Sequence, residues 1–210
     1  MEFIIMYWDK VAKLYDIFEG VVNKKVYEET GKRVSEEIES GDRVLECACG
    51  TGAISKYVAP KCHYLTATDF SKKMLIQTDR KLRRFANVTI EQADITKLCY
   101  EDESFDKVIA GNVIHLLEDP YAALDELFRV CKPEGKVIIP TYINKSGGKR
   151  GFLVKLLGKS GAGFKRQFDM ALYKKFFEDA GYMNASFDVV EGRMPCAIAV
   201  IEKIIIYKED

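Results

Sequence analysis

No stretch of the 210 residues stays apolar over the roughly 20 positions a transmembrane helix requires, so nothing in the sequence argues for a span. The opening Met1 to Tyr7 is too short and too acidic for a secretory signal, which predicts a cytoplasmic protein. Charge of one sign is also lacking: lysine plus arginine number 32 and aspartate plus glutamate 32. That balance removes any global attraction to nucleic acid and leaves only local basic surfaces. Paired CxxC spacing is missing from the six cysteines at 47, 49, 62, 99, 131 and 196, so they read as reduced, buried, small hydrophobes. Cys47-x-Cys49 comes nearest to a metal or redox pair, but it falls inside a glycine turn, and no metal is expected. Without internal repeats, low-complexity tracts or a Pro-rich linker, 1–210 reads as one domain. Its length suits one substantial core and hardly two.

Trp8, Val11, Tyr15 and Phe18 recur at helical spacing, and Val22, Val26, Val34 and Ile38 extend the stripe to Ser40-Gly41. Two helices over 1–40 are therefore expected as an N-terminal cap. From Arg43, short β-branched runs at 43–48, 63–68, 87–92, 105–111 and 135–142 alternate with helical stretches. Such alternation implies a parallel sheet covered by helices on both faces. Ser71 is placed to cap one helix, and Asp119-Pro120 to cap and start another that buries Leu124, Leu127, Phe128 and Cys131. Asp169 opens a further helix to Ala180, stopped by Gly181. The runs 184–191 and 195–206 then read as an antiparallel hairpin. One segment breaks the rhythm: Ile143 to Gln167 holds six glycines and seven lysines or arginines without an acidic residue. It reads as a basic, glycine-rich insertion with a short apolar middle around Phe152 to Leu157.

The strand Arg43-Val44-Leu45 runs into Glu46-Cys47-Ala48-Cys49-Gly50-Thr51-Gly52 and then a helix beginning near Ala53. Glycines there permit positive φ and let a nucleotide-like ligand lie on backbone amides at the carboxyl edge of the sheet. Asp69 ends the next strand, where a carboxylate can accept hydrogen bonds from both hydroxyls of a ribose. The dinucleotide fingerprint wants a third glycine at position 55, but this chain has Ser55, which disfavours a dehydrogenase. Asp94 follows the third strand and Asn112 closes the fourth at the same edge, so four strand ends converge on one cleft.

On these residues the chain resembles the class I S-adenosylmethionine-dependent methyltransferases, in particular the branch of ubiquinone/menaquinone methyltransferases and related small-molecule enzymes. Glu46-x-x-x-Gly50-x-Gly52 is similar to that family's first motif, and Asp69-Phe70-Ser71-x-x-Met74-Leu75 to its ribose segment. Ala93-Asp94-Ile95 is similar to the adenine-contacting segment, Ser104-Phe105-Asp106 to Asn112 to the fourth strand, and Arg129-Val130-Cys131-Lys132-Pro133-x-Gly135 to the turn before the fifth. The resemblance implies a Rossmann-like, doubly wound, seven-stranded α/β fold with S-adenosylmethionine as cofactor and S-adenosylhomocysteine as product. Glu46 and the Ala48 to Gly52 backbone would hold the methionine end, and Asp69 the ribose. Phe70 and Met74 would pack on the adenine, Asp94 would take its exocyclic amine, Ile95 would offer its amide, and Asn112 would lie near the sulfonium. The family usually has glycine where this chain has Ala48.

A sulfonium makes its methyl electrophilic, so direct in-line displacement by a small-molecule or lipid-like acceptor is expected, without a covalent intermediate. His115, one helical turn after Asn112, is the first candidate for base and substrate contact, against a purely structural role. Tyr15 is the second, against core packing, and Tyr7 and Tyr142 join them as substrate contacts. The one-sided charge of 143–167 would attract an anionic head group or membrane surface; a solvated, mobile loop is the other reading. Two further functions stay open: an NAD-binding oxidoreductase and a non-catalytic cofactor-binding module. The acceptor, its reacting atom and the oligomeric state stay open as well.

Overall fold

A computed structural model of the chain describes residues 23–144 and 165–204. The helical stripe from Trp8 to Phe18, the candidates Tyr7 and Tyr15, and most of the basic insertion lie outside these residues. Helix α1 (Lys24–Glu36) precedes strand β1 (Arg43–Cys47), helix α2 (Ser55–Val58), strand β2 (Tyr64–Asp69), helix α3 (Lys72–Leu82), strand β3 (Val88–Gln92) and strand β4 (Phe105–Ala110). A 3-10 turn (Ile114–Leu116), helix α4 (Pro120–Val130), strand β5 (Cys131–Tyr142), helix α5 (Met170–Asp179), strand β6 (Ser186–Val190) and strand β7 (Cys196–Glu202) complete the order. The seven strands form one sheet in the order β3-β2-β1-β4-β5-β7-β6. The first five pair in parallel, while β7 is antiparallel to both β5 and β6.

Strand periodicity divides the core between the two faces of this sheet. Val44, Ile109 and Ile138 pack with Val26 and Val34 of α1 and Val58 of α2 on one face. Their neighbours Leu45, Val108, Val137 and Ile139 pack with Leu124 and Leu127 of α4 and Tyr173 and Phe177 of α5 on the other. Both layers are closed, which is why the central runs read as continuously apolar rather than alternating. Tyr173 reaches across to donate its hydroxyl to the carbonyl of Ile139.

The expected caps are present. Ser71 Oγ accepts from the amide of Met74, Asp119 accepts from Tyr121 and Ala122, and Asp169 accepts from Leu172. Gly181, at φ 86°, stops α5 in the left-handed conformation. Two boundaries differ from expectation. The helix after the glycine turn is a single turn that starts at Ser55, not near Ala53, because Gly52 still bonds back to Cys49 at 2.9 Å. The fifth strand starts at Cys131, not at 135: the Lys132-Pro133-Glu134-Gly135 turn is absorbed as an irregularity whose pairing partner in β4 slips between Phe105 and Lys107. Glu134 takes φ 61° there. Cys99 also departs from expectation, being exposed while the other five cysteines are buried; none of the six is in a disulfide.

Candidate active site

The chain leaves β1 for β2 on one side and later returns to place β4 on the other, so the carboxyl ends of β1 and β4 border the switch point of the sheet. A cavity of about 600 Å³ opens there. Of the residues singled out in the sequence, Glu46, Ala48, Gly50, Asp69, Phe70, Met74, Asp94, Ile95, Asn112 and Tyr142 line it. Gly52 does not. Its positive φ of 78° serves the turn, and a Cβ there would lie 3.2 Å from Thr78 Cγ2, so it is a packing glycine against α3.

The turn after β1 is held by its own bonds. Cys49 donates its amide to Thr68 O at 2.8 Å and Gly52 to Cys49 O at 2.9 Å. Gly50 donates to Asp69 Oδ2 at 2.9 Å, and its carbonyl accepts from the Thr78 hydroxyl at 2.8 Å. Three amides expected to face a ligand are therefore spoken for within the protein. Ala48, at φ 52°, occupies the left-handed region that glycine fills without strain. Asp69 ties the two turns together, since its Oδ1 accepts from Ser71 N at 2.8 Å. Asp69 also lines the cavity, where a carboxylate can accept from a vicinal diol. Asp94 uses Oδ1 twice, for the Thr96 amide at 2.9 Å and hydroxyl at 2.7 Å, which leaves Oδ2 to a ligand. Asn112, at φ 54°, donates its amide to Pro140 O at 2.8 Å and accepts the Tyr142 amide on Oδ1 at 3.0 Å. It thereby joins the end of β4 to the end of β5.

Glu46 is 2% exposed, and its Oε2 is buried without a hydrogen-bond partner. Burial pushes its carboxyl up to about 8, Ser55 opposes that rise, and the charge of Asp69 adds to it. Burial likewise pushes the Cys47 thiol up to about 12 and the Cys49 thiol well above its usual value. Neutral thiols are poor metal ligands and nucleophiles. Cys49 is part of the cavity wall, and Cys47 belongs to the core behind it.

His115 sits apart from the other candidates. The 3-10 turn that carries it leaves it 7% exposed and outside the cavity lining. Burial lowers its imidazole to about 4, which makes it a weak base. A helical-turn spacing from Asn112 suggested otherwise because the sequence does not show that the turn faces its middle residue inward. Several contributors were not read from the sequence, Tyr27, Thr30, Leu116 and Leu117 among them. Tyr27 and Thr30 of α1 line the cavity, one helical turn apart on one side of the helix, beside the Val26 and Val34 stripe that packs on the sheet. Leu116 and Leu117 line its far end, where Arg166 straps them. Arg166 donates its amide to His115 O at 3.2 Å and its guanidinium to Leu117 O at 2.8 Å and Glu118 O at 3.3 Å. An apolar pair ahead of the Asp119-Pro120 cap is the only sequence signal for that rim.

The charge of the lining is one-sided. Glu46, Asp69, Asp94, Glu118 and Asp119 line the cavity, and among the described residues no lysine, arginine or histidine does.

Comparison with known proteins agrees with this geometry. Residues 45–139 match a family model described as "Methyltransferase domain". The chain is 37% identical over 143 residues to the "Ubiquinone/menaquinone biosynthesis C-methyltransferase UbiE" of Bdellovibrio bacteriovorus, an alignment covering 66% of this chain but only 61% of that protein. It is 28% identical over 202 residues to the "Demethylmenaquinone methyltransferase" of Staphylococcus aureus, covering 84% of this chain and 83% of that one. A SAM-dependent methyltransferase from Aquifex aeolicus superposes with a TM-score of 0.68 at 20% identity, over 94% of this chain and 98% of that one. The [4+2]-cyclase SpnF superposes at 0.70 with 18% identity, over 85% and 81%, so one fold serves more than one chemistry. Its Rossmann-like sheet, its motif-bearing strand ends and these relatives make the chain similar to the class I S-adenosylmethionine-dependent methyltransferases, above all to those of the ubiquinone/menaquinone branch.

Proposed function

We propose that this protein transfers the methyl group of S-adenosylmethionine to a small acceptor, in the manner of the quinone-biosynthesis methyltransferases it resembles. The observation that carries the reading is the acidic lining. S-adenosylmethionine brings a sulfonium and an ammonium, and a wall of carboxyl groups favours both. The two phosphates of NAD would meet repulsion from every ionised group that faces them, and the fully buried Ser55 stands where the dinucleotide turn packs a glycine.

The residues present fit the cofactor. The Asp69 carboxylate lies in the cavity wall, suited to accept from the ribose diol, and Asp94 Oδ2 is available for the exocyclic amine of adenine. Met74 and Ile95, both nearly buried, and the half-buried Phe70 supply apolar surface for the base. The unpartnered Oε2 of Glu46 is suited to the ammonium. Once bound, the cofactor supplies an electrophilic methyl group, and the protein has to align the acceptor with it and exclude water. Tyr27, Leu116, Leu117, Ala122 and Tyr142 offer the largely apolar surface against which an aromatic, quinone-like acceptor would lie. Direct displacement needs no protein nucleophile, and the lowered imidazole of His115 argues against that residue as the base.

Calorimetric titration tests the reading: S-adenosylmethionine and S-adenosylhomocysteine bind the wild type, Asp69→Ala abolishes binding, and NAD gives no heat. Incubation with S-adenosylmethionine and a demethylated quinol should add one methyl group by mass. Cofactor binding with no turnover of any quinol, phenol or amine would instead favour a non-catalytic module. We also place the protein in the cytoplasm, a reducing compartment that suits six free thiols. The basic 143–167 segment we assign to contact with an anionic head group or membrane surface, on its sequence charge alone.

A further inference from the structure

The acidic cavity raises a problem that S-adenosylmethionine brings with it. Its amino-acid end carries a carboxylate beside the ammonium, and that carboxylate must be satisfied in a lining where no described residue is cationic. The usual solution, a ring of turn amides, is closed in part, because Cys49, Gly50 and Gly52 donate within the protein. Besides the Asn112 carboxamide, the side-chain donors that line the cavity are hydroxyls. Among the described residues six hydroxyls line the cavity, those of Tyr27, Thr30, Thr51, Ser71, Thr96 and Tyr142. Ser71 Oγ caps α3, Thr96 Oγ1 donates to Asp94, and Thr51 Oγ1 accepts from Lys81 at 2.9 Å. Tyr27 and Tyr142 engage neighbours as well. Thr30 stands apart: it is 4% exposed, and its Oγ1 is buried with no hydrogen-bond partner.

A buried hydroxyl left unbonded is costly, and few such groups persist in a protein interior without a role. Two unpartnered buried oxygens, Thr30 Oγ1 and Glu46 Oε2, belong to side chains that line the same cavity. One can only accept when ionised and the other can donate, which matches the ammonium and carboxylate carried on one carbon of the ligand. We infer that Thr30 is a cofactor-binding residue whose hydroxyl donates to the carboxylate of S-adenosylmethionine, completing with Glu46 a two-point clamp on the zwitterion. The inference rests on the reading of S-adenosylmethionine as the ligand.

Three ligands separate the possibilities: S-adenosylhomocysteine has carboxylate and ammonium, decarboxylated S-adenosylmethionine has only the ammonium, and methylthioadenosine has neither. Thr30→Val is expected to weaken S-adenosylhomocysteine by about 10-fold and to leave the other two within about twofold. Thr30→Ser should restore wild-type affinity. Because Val removes an unsatisfied hydroxyl at nearly constant shape, the ligand-free Thr30→Val protein should melt no lower than wild type, so weaker binding cannot be assigned to poor folding. Equal weakening of all three ligands would make Thr30 a packing residue and overturn the inference. So would unchanged S-adenosylhomocysteine affinity, including the case in which only the acceptor KM rises. Wild type that binds none of the three would remove the cofactor reading itself and this inference with it.

Discussion

Glu46 and His115 are buried ionisable groups whose effects on stability oppose one another with pH. In the folded, ligand-free protein the Glu46 carboxyl is raised from 4.5 to about 8, so below 4.5 both states are protonated. Between those values the native state holds a proton that the unfolded chain has released, and stability falls as pH rises. His115 is lowered from 6.5 to about 4, so between those values the unfolded chain holds the extra proton and stability falls as pH drops. The two slopes cancel from about pH 4.5 to 6.5, each near 1.4 kcal/mol per pH unit. Above that Glu46 acts alone and removes about 2 kcal/mol by pH 8. Urea unfolding of the cofactor-free protein should show this loss between pH 6.5 and 8, and Glu46→Gln should abolish it. A Glu46→Gln protein that loses stability just as steeply over that interval would show that Glu46 does not carry the proton. The same carboxyl has a second reason to sit there, since a group held neutral when the site is empty can ionise against an arriving ammonium.

Elements capped by their own residues were legible in the sequence, because a cap needs only the residue before the helix and the amides just after it. Ser71, Asp119 and Asp169 all fall in this class. Strand ends were legible for a similar reason: the apolar runs stop where the sheet stops, so Glu46, Asp69, Asp94 and Asn112 could be placed on one edge. What depends on distant partners was not legible. Thr30 and Tyr27 reach the cavity only because α1 packs back over the sheet, and Arg166 finds the 115–118 turn across a long separation in sequence. The entry to β5 is another case. Gly135 looked like part of a turn, yet it lies in the strand so tightly that a Cβ would come within 2.7 Å of Asp106 O, 2.8 Å of Cys131 Sγ and 2.8 Å of Lys132 O. Two of these neighbours are backbone and cannot rotate away. Gly135→Ala should therefore lower stability by about 2–3 kcal/mol, the range of overpacked sites. A shifted urea midpoint at unchanged slope is the expected signature. Cofactor affinity should hold, because Gly135 is not part of the cavity lining.

At the scale of the whole molecule the cavity draws on both layers of the fold. Its walls come from α1 on one face of the sheet, from α4 on the other, and from the carboxyl ends of β1, β2 and β4 between them. A ligand that touches all of these binds the folded chain and has no counterpart site in the unfolded one, so occupancy must add to global stability. S-adenosylhomocysteine at 100 times its Kd should contribute about 2.7 kcal/mol. For a domain of this size that corresponds to a rise in Tm of roughly 5–10 °C. Asp69→Ala should show almost none of this rise at the same ligand concentration, even if its own Tm is somewhat reduced by the lost bonds to Gly50 and Ser71. NAD should leave both proteins where they were, since its phosphates meet an acidic wall. A rise with NAD equal to that with S-adenosylhomocysteine would mean that the lining carboxyls do not select by ligand charge, and the electrostatic basis for the methyltransferase reading would fail even with the fold intact.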